Sequence, residues 1–352
     1  MALDPSALLA GPRGRRLCLE YLLEGAWSGG DDAVTTAYFW ATRALDPDPG
    51  TLFTIGGDAK PTEIVVSPEE AASALATLDA PEPTERSLRL ALRASVDHAM
   101  YWQAPNGADA LAATDELRPV LTRVAEMIAA SPHAQWWRSG VALSDQWAVH
   151  WGAGSATNDD PAAALAAWGS AVRAEEVDAA RERPADATAR FSGTWWSTPS
   201  AVLHSTRSLG RIGPSELWSV EDFGGWDTAI ASPVLPASAR VLEIDGADAW
   251  IDLCRRHPLI VTASRRHDWH RVTGRDGGWV QPDWEFVAAV ADGVHLTVAG
   301  YLEAATRLLD VDDGWGSVIA GWAPDATYWF ARTLVAGPSV EWMRDADDWH
   351  RA

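Results

Sequence analysis

Apolar residues recur every three to four positions through the first half of the chain, then fall into short runs bounded by turn residues in the second. Ser67-Pro68-Glu69-Glu70 has the form of a capping box with proline in the first turn, and Leu75 and Leu78 supply the apolar face behind it. Leu88, Leu92 and Val96 predict a helix from Thr84 to about Trp102. Leu117, Leu121, Val124 and Ile128 predict another over Asp115–Ala130. Asp160-Pro161 opens an alanine-rich helix through Trp168 and Val172, and Leu17–Leu23 and Ala33–Leu45 read as helical too.

After Pro184-Ala185-Asp186-Ala187 the pattern shortens. Gly193–Ser197, Leu217–Glu221, Ala229–Val234, Arg240–Ile244, Leu259–Ala263, Val294–Val298, Ser317–Trp322 and Thr327–Ala331 are strand-sized and separated by Gly, Pro and Asp turns. Two short helices interrupt them, Ala247–Arg256 capped by Asp245 and Asp283–Val290 after Pro282. The expected architecture is α+β: a helical domain over residues 1–185, a Trp-rich domain over 186–335 built on a mixed or antiparallel sheet, and a C-terminal tail over 336–352. Crossover helices are too few for a doubly wound sheet. No period of about 20–50 residues marks a solenoid or propeller.

Composition narrows the function classes. The 28 basic against 49 acidic side chains leave a formal charge of −21, which argues against broad contact with nucleic-acid phosphates. With 47% apolar residues the chain can build a core, yet no run is long enough to cross a membrane. Tryptophan supplies 21 of the 32 aromatic residues, so large apolar surfaces come with N–H groups that need partners. Cys18 and Cys254 cannot form a disulfide framework, and Met1–Ala10 lacks the basic and apolar regions of a signal peptide. A reducing, cytoplasmic setting is expected.

Standard catalytic signatures are missing: there is no G-x-x-x-x-G-K-[ST], H-E-x-x-H or G-x-S-x-G. The sharpest anomaly is electrostatic. Arg255, Arg256, Arg265, Arg266, Arg271 and Arg275 lie in one stretch with His257, His267 and His270, and Asp268 is its one acidic residue. Such an island either focuses anions or pairs with acidic patches on the helical half. Its Cys254-x-x-His257 and His267-x-x-His270 spacing offers four zinc ligands, although Pro258 breaks the helix that would carry the first pair. Trp195, Trp196 and Ser197, followed by His204, Thr206 and Arg207, could wall and orient a polar ligand, or simply fill an interface and serve turns. Glu221 and Glu243 are the carboxylates most firmly placed by predicted strands. His295 and Thr297 share one strand face, where a histidine is either a general acid–base or a structural group.

The runs Trp195-Trp196-Ser197-Thr198-Pro199, Ala239–Ile244, Pro282-Asp283-Trp284, Asp292–Thr297 and Ala320–Asp325 with Thr327-Tyr328-Trp329 resemble an uncharacterised Trp-rich family of high-GC bacteria, strongly over about 190–330. The resemblance carries no activity. More distantly, the order of a polar Arg/His strand, a Ser-Thr strand and a later Glu is similar to the ADP-ribosyltransferase layout. That layout implies NAD bound in a split sheet and a glutamate answering an oxocarbenium-like charge. His204-Ser205-Thr206-Arg207 and Glu243 stand where a Ser-Thr-Ser triplet and a Glu-x-Glu pair would be, and both of those are absent here.

Three readings follow. One is a non-catalytic or regulatory protein that binds a small anionic ligand, a peptide or a protein partner. Another is a nucleotide- or NAD-using transferase or glycohydrolase, with Arg265 and Arg266 on pyrophosphate, Trp195 and Trp196 walling the base, and Glu243 or Glu221 opposing developing charge. The third is a structural zinc protein. Convergence of His204, Glu243, His295 and the arginines on one cleft would favour the enzyme.

Overall fold

A computed structural model describes residues 3–29, 32–52, 63–152, 160–236, 239–346 and 348–352. The first half forms the helices its periodicity predicts, together with two short ones that it does not, Pro5–Ala10 and Gly107–Ala112. They are α1 (Pro5–Ala10), α2 (Pro12–Gly29), α3 (Asp32–Leu45), α4 (Pro68–Ala76), α5 (Glu85–Asp97), α6 (Gly107–Ala112) and α7 (Arg118–Ala130). The capping box closes on both sides: the Ser67 hydroxyl accepts the Glu70 N–H at 3.2 Å, and the Glu70 carboxylate accepts the Ser67 N–H at 2.8 Å.

Beyond these lie β1 (Gln146–His150), α8 (Pro161–Glu182), β2 (His204–Arg207), β3 (Thr228–Pro236), β4 (Val241–Ile244), α9 (Ala247–Arg256), β5 (Pro258–Ile260) and α10 (Thr262–Thr273). The chain continues through β6 (Gly278–Pro282), α11 (Trp284–Val287), β7 (Gly293–Leu296), α12 (Val298–Ala304), β8 (Leu309–Asp312), β9 (Trp315–Ser317), β10 (Thr327–Trp329), β11 (Thr333–Val335), β12 (Val340–Asp345) and β13 (Asp348–Arg351). The large sheet runs β13-β12-β3-β1-β2-β10-β7-β4, with β11 also on β3; a small sheet runs β5-β6-β9-β8. Pairing is antiparallel except for β4–β7 and β6–β9. The molecule is therefore α+β with mixed sheets, as the pattern implies.

The expected partition at residue 185 is not how the core is organised. One continuous apolar cluster runs from Leu3 to Phe330, and β1, from the first half, lies between β3 and β2. The expected tail is a strand pair: Val340 and Trp342 alternate with polar residues and pair with Ala231 and Ala229 of β3. Residues 193–197 and 217–221 are not strands, and 262–273 is a helix rather than strand and loop. α10 hid because it buries Ser264, Arg265, His267 and Asp268 beside Ala263 and Trp269, so it shows no apolar stripe. Its end at Gly274 is legible, since φ of +72° there suits glycine. Gly246 rather than Asp245 stands at the start of α9.

Indoles form the floor under the sheet. Trp250, Trp284 and Trp322 are fully buried and meet edge-on or tilted, with centroids 5.8–6.1 Å apart. Trp250 donates to the Ser317 hydroxyl at 2.8 Å and Trp284 to the Ser197 carbonyl at 2.9 Å. Two glycines then set the corner between α1 and α2. A Cβ on Gly11 would lie 2.3 Å from the Glu303 carbonyl oxygen, and one on Gly14 would lie 1.8 Å from the Leu8 oxygen. The corner thus sits directly on the end of α12.

Replacing a helical glycine by alanine ordinarily stabilises by about 0.5–1 kcal/mol. Here Gly14→Ala is expected to reverse that sign and destabilise by about 1–3 kcal/mol through overpacking, read as a lower midpoint in denaturant unfolding.

Candidate functional site

Three of the sequence-predicted residues come together on the large sheet. Glu243 pairs in register with His295, which pairs with Thr327. His295 Nδ1 lies 2.5 Å from Glu243 Oε2 and its Nε2 lies 3.3 Å from Asp325 Oδ1. Arg207 closes the chain, donating from Nε to Asp325 Oδ1 at 2.6 Å and from its backbone N–H to Oδ2 at 2.9 Å. Burial pulls the imidazole pKa down, but hydrogen bonds to Asp325 and Glu243 outweigh it and leave His295 above its ordinary value. Burial raises Glu243, and the His295 hydrogen bond and charge overcome that to hold it low. The row is an alternation of carboxyl, imidazole, carboxyl and guanidinium groups. Both ring nitrogens are occupied and His295 is fully buried, so this network is a strut. It pins the 139–141 loop through the Glu243 bond to the Val141 N–H and the Arg207 bond to the Gly140 carbonyl, each 2.9 Å.

The other candidates lie apart. His204 sits 2.7 Å from Glu216 Oε1, and Thr206 accepts the Glu216 N–H at 3.1 Å. Burial opposes the charged form of His204, but the Glu216 charge and hydrogen bond raise its pKa. Thr297 caps α12 through the Gly300 N–H at 2.9 Å, and the Ser197 hydroxyl accepts from Ala320 N–H at 3.0 Å. Trp195 stacks on Tyr101 with centroids 5.0 Å apart, and Trp196 meets Trp195 edge-on.

Glu221 is the most perturbed carboxyl. Oε1 accepts from Tyr101 and Tyr301 at 2.9 and 2.7 Å, and Oε2 accepts from the Gly321 N–H at 2.7 Å. Burial nevertheless pushes its pKa up to about 8. Tyr101 has one proton for two acceptors, since the Ile319 carbonyl also lies 2.9 Å away. When Glu221 holds its own proton, Tyr101 can turn to Ile319 and accept from the carboxyl.

The arginine island disperses. Arg265 pairs with Glu175 at 3.0 Å, Arg271 with Asp268 at 2.6 Å, Arg255 with Asp312 at 3.2 Å and Arg256 with Asp252 at 2.6 Å. Arg266 donates to the Ala185 carbonyl and Arg275 to the Gly278 carbonyl, both at 2.9 Å. Arg265 fastens α10 to α8, which matches the structural reading of the island. Nor do the proposed zinc ligands gather: Cys254 lies against Ser317, and His267 packs beside Phe191. Among the described residues no three His, Cys, Asp or Glu side chains are placed to hold a metal.

Cationic charge does collect in a hollow, but at residues that the sequence reading passed over. A cavity of about 530 Å³ opens where the start of α2, the 98–106 loop, the end of α10 and residues 306–308 meet. Arg13, Arg15, Arg307 and His98 line it, and Asp109 is the one carboxylate among its lining residues. Asp109 is already held by Arg13 at 2.6 Å and Arg16 at 3.3 Å. Arg15 donates to the Leu9 and Ala10 carbonyls, while its Nε is buried with no hydrogen-bond partner. Burial, then the neighbouring charges of Arg13, Arg118 and Arg307, lowers its pKa against the pull of Asp109. Arg307 reaches the Glu303 carbonyl at 3.3 Å.

Two further groups shape this cavity. His98 Nδ1 lies 2.7 Å from the Ala94 carbonyl, which only accepts, so Nδ1 carries the proton and Nε2 is an acceptor. Burial, then Arg16, lowers the His98 pKa, leaving the ring neutral at pH 7. Asn106 Oδ1 accepts from Asp109 N–H and Arg16, which leaves its amide nitrogen as a donor. In the wall, Thr306 adopts φ of +59°, a left-handed conformation rare for a β-branched residue, and accepts from Arg13 Nε at 3.0 Å. The sequence signal for this site was Pro12-Arg13-Gly14-Arg15-Arg16 at a helix start, where cations oppose the helix dipole.

A carboxyl with its folded pKa raised to about 8 stabilises most below its ordinary range, and that stability falls as pH climbs from about 4.5 to about 8. Glu221→Gln is therefore expected to flatten the thermal-stability profile across that window, by at most about 1.4 kcal/mol per pH unit relative to the parent. Parallel melts from pH 5 to pH 9 provide the check. Comparison with protein families, curated proteins and solved structures finds no match for the chain, so the site's chemistry has to be read from its own geometry.

Proposed function

We propose that this protein binds a small organic anion, a phosphorylated or polycarboxylate metabolite, in the cavity between the start of α2 and residues 306–308. One observation carries the reading. Arg15 is half-buried in a concave site, lacks a carboxylate partner among the described residues, and lies near the charges of Arg13 and Arg307. Asp109 pairs with Arg13 and offsets part of that charge, whereas the Arg15 guanidinium has no carboxylate of its own and is stabilised by an anion bound beside it. The positive end of the α2 dipole adds to the same preference.

The walls argue for the kind of ligand. Leu45, Met100, Val272 and Leu308 supply apolar surface, and no Trp, Tyr or Phe lines the cavity. A nucleotide base would find no stacking partner there, which favours an aliphatic or sugar-based anion over NAD. The volume falls within the usual range for small-molecule sites, about 300–1,000 Å³. Neutral His98 adds an acceptor suited to a ligand hydroxyl. Asp109 is neutralised by two arginines, and of the lining hydroxyls Thr273 donates to the Trp269 carbonyl and Thr306 accepts from Arg13, which supports binding without turnover. The residues an ADP-ribosyltransferase-like mechanism needs are held in separate networks, so the transferase reading draws no support from their placement.

Calorimetry and thermal shifts with pyrophosphate, citrate and a sugar phosphate test the proposal. Stabilisation that grows with ligand concentration is expected. Arg15→Gln is expected to weaken binding by about tenfold to a hundredfold, the loss of one charge-assisted contact of about 1.5–3 kcal/mol. Affinity is expected to rise on acidification as His98 protonates, and His98→Asn is expected to remove that rise. The absence of any shift, or shifts indifferent to Arg15→Gln, would refute the assignment.

A further inference from the structure

A second hollow, of about 320 Å³, lies between α5, the turn at Pro132–Arg138 and the turn at Ser215–Leu217. Its character is the opposite of the first: Trp136, Trp137 and Trp218 line it, backed by Leu88 and Leu92. Trp137 and Trp218 are buried and held, the latter through its N–H to the Ile212 carbonyl at 2.9 Å. Trp136 is half-buried and carries Arg207 over its ring at 5.0 Å. Rigid indole faces around so small a space favour a flat aromatic group.

Two charged side chains, four residues apart on α5, stand in the same lining. Arg89 lies over Trp218 at 4.2 Å, and its Nε is buried with no hydrogen-bond partner. Its nearest carboxylate, Asp348, is 3.8 Å from Arg89 but 2.9 Å from Arg86. Glu85 is exposed at the rim. Glu85 and Arg89 have the spacing of a helical ion pair, yet they make none with each other. Arg89, which shares Asp348 with Arg86, and Glu85 thus stand beside an aromatic slot with opposite charges, an arrangement that complements a zwitterion.

We propose that this pocket is a second ligand site, distinct from the anion cavity, and that it takes a free aromatic α-amino acid. The ring enters among Trp136, Trp137 and Trp218, the carboxylate meets Arg89 and the ammonium meets Glu85. No bond is made or broken.

Isothermal titration calorimetry with L-tryptophan, L-phenylalanine, L-leucine, tryptamine and indole-3-propionate, on the full-length chain, tests this. One of the two aromatic amino acids is expected to bind, with tryptamine, indole-3-propionate and leucine each weaker by at least about tenfold. Arg89→Met keeps the aliphatic stem over Trp218 and is expected to lose at least about tenfold in affinity; Glu85→Gln is expected to narrow the gap between the amino acid and indole-3-propionate. Arg15→Gln, in the other cavity, is expected to leave the titration unchanged, which separates failure at one site from failure at the other. Equal binding of indole-3-propionate, no heat from either aromatic amino acid at millimolar concentration, or a titration indifferent to Arg89→Met in a variant of parental melting temperature would each overturn the proposal.

Discussion

Arg13 is fully enclosed, and its three nitrogens reach Ser95, Asp109 and Thr306, residues 82 to 293 positions away in the chain. A guanidinium cannot shed its charge, so it must be solvated by the protein on every side. Those bonds draw the end of α5, the α6 turn and the segment after α12 onto the start of α2. Losing one partner of such a buried ion ordinarily costs about 3–5 kcal/mol. The same charge acts in two directions: it belongs to the anion cavity, and it lowers the otherwise high pKa of Glu221. Site and core are therefore not separable here, because one cation serves both.

The acidic excess takes on a different meaning once the ion pairs are placed. Glu175 and Glu176 on α8 receive Arg265 and the first N–H groups of α10, and Asp268 receives Arg271 together with Ser192 and the Gly193 N–H. These carboxylates are joints between segments. What distinguishes Arg15 and Arg307 from Arg265 and Arg271 of α10 is that no such joint reaches them among the described residues.

Local patterns made the helical half readable. Leu88, Leu92 and Val96 face one way, Ser67 and Glu70 close a helix start, and the structure keeps both. α10 escaped because its buried face is polar, and β1 because a five-residue strand with two polar ends carries little signal of its own. At the site level, His295 and its register partner Glu243 were both candidates. However, β7 is buried on both faces and ends at Leu296, so Thr297, expected on the same strand face as His295, caps α12 instead. Asp325, which links His295 and Glu243 to Arg207, lies in a turn at φ of +68°, and no periodicity points to a turn residue. The cavity was harder. Arg13 and Arg15 come from one end of the chain and Arg307 from near the other, and only the close seating allowed by Gly11 and Gly14 makes them neighbours.

The strand order has a bearing on how the molecule is made. β1 emerges from the ribosome well before β2 and β3, its partners on either side, and the 22-residue α8 intervenes. The helices meanwhile present the surface of α1 and α2 that α12 will later cover. Sheet closure waits on long-range loop entropy, which predisposes such topologies to slow maturation and to capture by holding chaperones during synthesis. A nascent chain halted near residue 200 would thus be a sticky intermediate rather than an autonomous half.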